Sequence, residues 1–161
     1  TNVGALKALF FSLVRSKLEY CNLVWSPSYQ YQRDRMERIQ RKFLKYLSFK
    51  VNGVYPERGC CQNALLAKFN MEDLDKRRTR TSVTFLFKII HQLIDCACLL
   101  QELQFHVPYF SSRSSSTFYY TTPNSNILIN SPIYNMCSVF NSICDKCDIH
   151  NSHMKDILDI F

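Results

Sequence analysis

Apolar residues crowd positions 5–25 on most faces, no Gly or Pro interrupts them, and Ala, Leu and Lys dominate the beginning. This pattern predicts a helix. Pro27 disfavours helical geometry at Ser26 and ends it, and a helix this apolar needs cover from others. Residues 31–49 carry the cleanest periodicity. Met36, Ile39, Phe43 and Leu47 form one stripe; Arg35, Arg38, Lys42 and Lys45 form a second beside it. The first stripe is expected to dock on the preceding helix while the second stays wet. The short connection Ser26–Gln30 predicts an antiparallel helical hairpin.

Beyond it, Gly53, Pro56 and Gly59 mark residues 50–63 as a loop, and Leu65, Leu66 and Phe69 mark 64–69 as a short helix. Asn70 is the expected N-cap of a long helix over about 71–94, with Glu72 and Asp73 in its first turn. Leu74, Thr81, Phe85, Ile89 and Leu93 are its expected inner face, and Lys76, Arg77, Arg78 and Arg80 crowd its first half. Residues 108–126, rich in Ser, Thr and Tyr, read as an exposed irregular loop with a short strand near Phe118–Thr121. Ser131 and Pro132 open a helix over about 132–144, faced by Ile133, Met136, Val139, Phe140 and Ile143. A last helix is expected over about 152–160. The fold class is therefore mainly α: four to six helices around one core, with an irregular polar loop near 108–126. The organisation expected is a helical region over 1–107, basic in its first 80 residues, then the 108–126 loop, then short helices over 127–161 packing on the same core.

Composition narrows this picture without changing it. With 161 residues the chain can bury a real core, and only 3 Gly and 5 Pro argue against a turn-rich all-β fold. Charge is one-sided. Residues 1–80 hold 16 Lys and Arg against 7 Asp and Glu, a surplus of nine, whereas residues 81–161 hold 4 against 6. A basic half beside a nearly neutral one suggests a polyanionic partner. No window approaches the roughly 20 apolar residues of a membrane span, so no membrane partner is expected. Without a secretory leader pattern, the 8 cysteines point to an intracellular, reducing setting, cytoplasmic or nuclear and not secreted, with most thiols free and buried.

Catalytic constellations are missing from the sequence. Three glycines cannot build a phosphate-binding loop, and the four histidines show no nucleophile-activating context. Cys144, Cys147, His150 and His153 are zinc-competent side chains at three-residue spacing. Zinc fingers, however, set about a dozen residues between their Cys and His pairs, so packing is the preferred reading and no metal site is assigned.

Three stretches carry a resemblance. The run Leu13–Pro27, LVRSKLEYCNLVWSP, is followed by Asp34-Arg35-Met36-Glu37-Arg38-Ile39-Gln40-Arg41-Lys42-Phe43-Leu44. Leu74-Asp75-Lys76-Arg77-Arg78 leads to Phe85-Leu86-Phe87-Lys88-Ile89. Ser131-Pro132-Ile133 leads through Met136 to Phe140-Asn141. In this order they resemble the region after the polymerase core in reverse transcriptases of non-LTR, jockey-like retrotransposons. Where that family often has Arg in the third stretch, this chain has Asn135.

The resemblance implies the C-terminal accessory helical region of an RNA-directed DNA polymerase, following its thumb. It would brace the polymerase domain upstream in the same polypeptide and meet the phosphates of an RNA or DNA template–primer. Arg35, Arg38, Lys42 and Lys45 are the expected contacts, extended by Arg77, Arg78 and Arg80. The parent polymerase would use Mg²⁺ held by paired carboxylates. No two Asp are adjacent here, and Asp73/Asp75, Asp145/Asp148 and Asp156/Asp159 fall on predicted helices or their ends. No catalytic residue and no cofactor are therefore expected in this chain. The alternative readings are a helical protein-interaction module and a nonfunctional relic of a mobile element.

Overall fold

A computed structural model describes residues 2–57, 59–107, 109–110, 116–144 and 148–160. It is mainly helical, with five helices of seven residues or longer and a single two-stranded sheet among the described residues. Where periodicity suggested one core, the chain divides into two compact units, Thr1–Arg78 and Thr79–Phe161.

The first unit opens with α1 (Val3–Leu9), whose free N-terminal amides are met by Asn2: its Oδ1 accepts from the Ala5 N–H at 3.2 Å. A π-helical turn (Phe10–Arg15) leads into α2 (Ser16–Glu19). The expected continuous helix then breaks. Tyr20 is extended, Cys21 takes a left-handed conformation (φ 50°), and a separate turn, α3 (Asn22–Trp25), follows. No Gly or Pro marks this break. Asn22 is buried just after it, and the Trp25 indole N–H donates back to the Tyr20 carbonyl five residues earlier.

Next comes α4 (Gln30–Asn52), three residues longer at its end than the periodicity indicated. It stops at Gly53, which adopts φ 75° while its N–H donates to the Phe49 carbonyl at 2.8 Å. Only glycine takes that conformation without steric cost. The entry to α4 is tied by Arg33, whose Nε donates to the Pro27 carbonyl at 3.0 Å. The buried face of α4 is turned from the expected stripe: Gln40, Leu44, Leu47 and Ser48 are buried, whereas Ile39 is 42 % exposed. The reason is Gln40, whose Nε2 donates to the Glu72 carbonyl at 2.7 Å, so that a polar residue occupies a core position.

Beyond a loop, α5 (Gln62–Lys68) completes the core of this unit. Phe10, Leu44, Leu47, Leu65, Leu66, Phe69 and Met71 pack together, and the Phe10 and Phe43 rings stack with centroids 4.0 Å apart. Each fully buried Leu contributes about 1.5–3 kcal/mol here. Asn70 does not cap the following helix. It takes φ 47° at the end of α5, and the Met71 N–H reaches back to the Leu66 carbonyl at 2.9 Å. Asn tolerates the left-handed region, which makes it a helix terminator here. The cap passes to Asp73, whose Oδ1 accepts from the Asp75 N–H at 3.2 Å.

The boundary between units falls within α6 (Leu74–Ile90). Its buried positions are Leu74, Arg78, Ser82, Val83, Leu86, Phe87 and Ile89; Thr81 and Leu93, expected inside, are exposed. The helix ends early, at a left-handed Gln92, with the Leu93 N–H on the Lys88 carbonyl at 2.8 Å.

The second unit continues with α7 (Ala97–Glu102) and the antiparallel pair β1 (Gln104–Phe105) and β2 (Phe118–Tyr119), the short strand expected near Phe118. Then come α8 (Asn126–Ile129), α9 (Pro132–Asn141) and α10 (Met154–Leu158). Ser131 caps α9 through its Oγ, with Pro132 in the first turn, as expected. Asn141 clamps β2 in both directions: its Oδ1 accepts from the Phe118 N–H at 3.0 Å and its Nδ2 donates to the Phe118 carbonyl at 2.9 Å. Phe118, Met136, Phe140, Ile149 and Ile157 are buried in this unit.

The described cysteines are free, but only Cys137 is buried. Burial raises its thiol pKa to about 11, so it remains protonated.

Candidate nucleic-acid interface

On α4 the cations follow the helical repeat. Arg35, Arg38 and Lys42 are exposed, and Lys45, one turn on, is half-buried. The first three line a groove of about 570 Å³ together with Trp25, Pro27, Gln32, Met36 and Ile39. No carboxylate lines it. The Arg35 guanidinium lies 5.7 Å from the centroid of the Tyr31 ring one turn earlier, within cation–π range. Trp25 and Ile39 are each 42 % exposed. Neither belongs to the cations singled out in the sequence. The available signal was the Trp25-x-Pro27 pair, which places an aromatic ring at the mouth of the hairpin turn.

The cations of α6 behave otherwise. Arg77 is forked onto Glu19, with Nη2 2.9 Å from Oε2 and Nε on Oε1, and reaches Glu72 at 3.4 Å. The Glu19 hydrogen bonds raise the Arg77 pKa, outweighing the opposite effect of burial. Arg78 is only 5 % exposed; its Nη2 donates to Asp75 Oδ1 at 3.1 Å and its Nη1 lies 3.7 Å from the Met36 sulfur. Arg80 is half-buried. The expected extension of the phosphate-facing surface through Arg77 and Arg78 is thus corrected: both guanidiniums are committed to carboxylates of this chain. Sequence position could not reveal this, because Glu19 lies 58 residues from Arg77.

A second, polar cavity of about 520 Å³ is lined by Asp34, Glu37, Asp73 and Asp75 and by Arg33, Arg38 and Arg41, Arg38 being shared with the groove. Glu37 Oε2 accepts from Gln62 Nε2 at 3.0 Å, and Oε1 from the Asp75 N–H at 3.2 Å. Burial, then the neighbouring Asp73, pushes the Glu37 carboxyl up to about 8. Burial also works to raise Asp73, but hydrogen bonds from Glu37 and the Asp75 N–H, together with the charge of Arg78, hold it below the usual carboxylate range. The two carboxyls share a proton and titrate as a pair, Glu37 above and Asp73 below the ordinary carboxylate range. This pair has no signature in the sequence, since its members are 36 positions apart.

The Cys/His cluster is not gathered by what the structure describes. Cys144 Sγ donates to the Asn141 carbonyl at 3.0 Å, while His150 and His153 are exposed; Cys147 lies outside the described residues. Among the described residues no group of three or more His, Cys, Asp or Glu is placed to hold a metal ion, and no helix is long and apolar enough to cross a membrane.

Comparison with protein-family models, with curated proteins and with solved structures finds no match to this chain.

Proposed function

We propose that this chain is the C-terminal accessory helical region of a retrotransposon reverse transcriptase, whose α4 cations meet the phosphates of an RNA or DNA template–primer. The observation that carries this reading is the exposed row Arg35, Arg38 and Lys42 along a groove without a carboxylate. Lys45 continues the row. Charges so arranged bind a polyanion by releasing its counterions, without reading sequence. The metal-holding carboxylates and their Mg²⁺ belong to the polymerase domain upstream. A brace for that domain is supported by the exposed apolar side chains of the first unit, Leu13, Tyr20 and Val24, which lie in the stretch bearing the resemblance.

Those same side chains favour a second reading, a helical protein-interaction module. One experiment separates the two. The chain and its Arg35→Ala/Arg38→Ala/Lys42→Ala/Lys45→Ala variant are titrated with RNA and DNA over a range of salt. Four neutralised phosphates give a slope of log K against log salt of about −3 to −4, which the variant loses while melting as cooperatively as the parent. Unchanged affinity in the variant sinks the nucleic-acid reading and leaves the protein-interaction module.

A further inference from the structure

The groove beside the α4 row holds more than charge. Its lining also includes an aromatic ring, Trp25, and the apolar side chains of Met36 and Ile39. A surface built only to hold a phosphate chain has no use for either. We propose that this groove takes an unpaired nucleotide of single-stranded RNA or DNA, its base laid against Trp25 and its phosphates met by Arg35, Arg38 and Lys42. This rests on the nucleic-acid reading above and narrows it to the form of nucleic acid.

Four observations support it. The first is charge: three cations line the groove and no carboxylate does, so its occupant is anionic. The acidic groups of this part of the chain, Asp34, Glu37, Asp73 and Asp75, line a separate cavity together with Arg33, Arg38 and Arg41, and none of them lines the groove. The second is the aromatic wall. An anion without an aromatic or apolar body, such as phosphate, leaves Trp25 and Ile39 unused, whereas a nucleotide supplies both parts. The third is the availability of base faces. Within a duplex every base face but those of the two end pairs is covered by its neighbours, whereas an unpaired base is free to cover Trp25 anywhere along a strand. The fourth is preparation. The indole N–H is satisfied by the Tyr20 carbonyl, and Arg33 pins the α3–α4 connection through the carbonyls of Pro27 and Ser28, at 3.0 and 3.5 Å. The wall is therefore held before a ligand arrives, which lowers the entropic cost of binding. At about 570 Å³ the groove falls within the roughly 300–1,000 Å³ range of small-ligand sites.

The test uses a feature of the composition: Trp25 is the one tryptophan of the chain, so its emission reports on this wall alone. The 161-residue chain is titrated with a single-stranded oligonucleotide, a blunt duplex of equal phosphate number, inorganic polyphosphate and poly-glutamate, following both anisotropy and Trp25 emission. The single strand is expected to quench the emission and to bind about tenfold tighter than the duplex, as stacking of one base implies. Trp25→Ala removes most of that preference and Trp25→Phe retains most of it. Ile39→Ser, at an exposed position where loss of folding is not a concern, reduces it in part. Binding of single strand and duplex with equal affinity and no change in emission overturns the groove and leaves the phosphate-binding row intact. Binding of neither nucleic acid overturns both. Quenching by polyphosphate or poly-glutamate equal to that by the single strand also overturns the nucleotide, since charge alone then accounts for occupancy.

Discussion

Both α4 and the start of α6 carry clusters of arginine and lysine, yet the fold surrounds the two clusters differently. On α4, Arg35, Arg38 and Lys42 stand exposed along a groove that holds no acid. On α6, Arg77 is forked onto Glu19 and Arg78 is buried against Asp75 and Met36. The difference teaches that the charges of a basic helix face stay open to a ligand only where the fold has brought no counter-charge to them. An arginine forked onto a carboxylate has spent its donors and most of its field; an arginine facing water keeps both for a ligand.

The sharpest way to break this comparison is to remove the fork. Arg77→Ala should lower the unfolding free energy by about 1.5–3 kcal/mol, the range for a partly buried charge-assisted hydrogen bond, while leaving the salt slope of nucleic-acid binding as it was. A double-mutant cycle with Glu19→Gln measured by denaturant unfolding checks it. A fall in nucleic-acid affinity with little coupling to Glu19 would erase the distinction between the two helices.

A smaller effect comes from the carboxyl pair that joins α4 to the start of α6. Glu37 keeps its proton to about pH 8 in the folded chain and to about 4.5 in the unfolded one. The unfolded state therefore binds fewer protons across that interval, and this group makes stability fall as pH rises from about 4.5 to 8. Asp73, held below its ordinary value, acts in the opposite sense: its contribution is present above the unfolded value of 3.8 and is lost in more acidic solution. The contribution of this pair to stability should peak between these windows. Glu37→Gln, which retains a donor for Asp73, should flatten the decline between pH 5 and 8 and gain on the order of 1–2 kcal/mol at pH 8. Thermal melts across pH for parent and variant decide it; an equal decline in both excludes the shared proton.

The smallest effect sharpens the map of α4 itself. Gly53→Ala places a side chain at φ 75°, where open space surrounds it but the backbone is strained, and should cost about 1 kcal/mol. The cost falls on the last turn, beyond Lys45, so nucleic-acid affinity should change less than twofold in anisotropy titrations. A large loss of affinity would mean that the row of cations depends on the end of the helix rather than on its first turns.

Much of the fold was legible because local rules decided it. Ser131 and Pro132 start α9 as expected, since a hydroxyl before a first-turn proline is a helix start wherever it occurs. The mainly helical class followed from periodicity and from the scarcity of Gly and Pro. Two local signals pointed the wrong way for physical reasons. Asn70 serves helix starts and left-handed stops alike, and the fold chose the stop. Ile39 belongs to an apolar stripe by spacing, but Gln40 took the inner position once the Glu72 carbonyl was there to accept from it. The break at Cys21 was not marked by any Gly or Pro; it is accompanied by a buried Asn22 and by the hydrogen bond from Trp25 to the Tyr20 carbonyl. The third stretch of the resemblance proves to have structural work to do here: Ser131 caps, Met136 and Phe140 are buried, and Asn141 clamps β2.

By itself the chain's order of residues determined its mainly helical class, the place of its longest helices and the excess of positive charge in its first half, because these depend on neighbours a few positions apart. Which of those charges remain available was decided only by tertiary structure. Glu19 reaches Arg77, and Glu37 meets Asp73, across separations that no local pattern encodes, and charge is neutralised by proximity in space rather than in sequence.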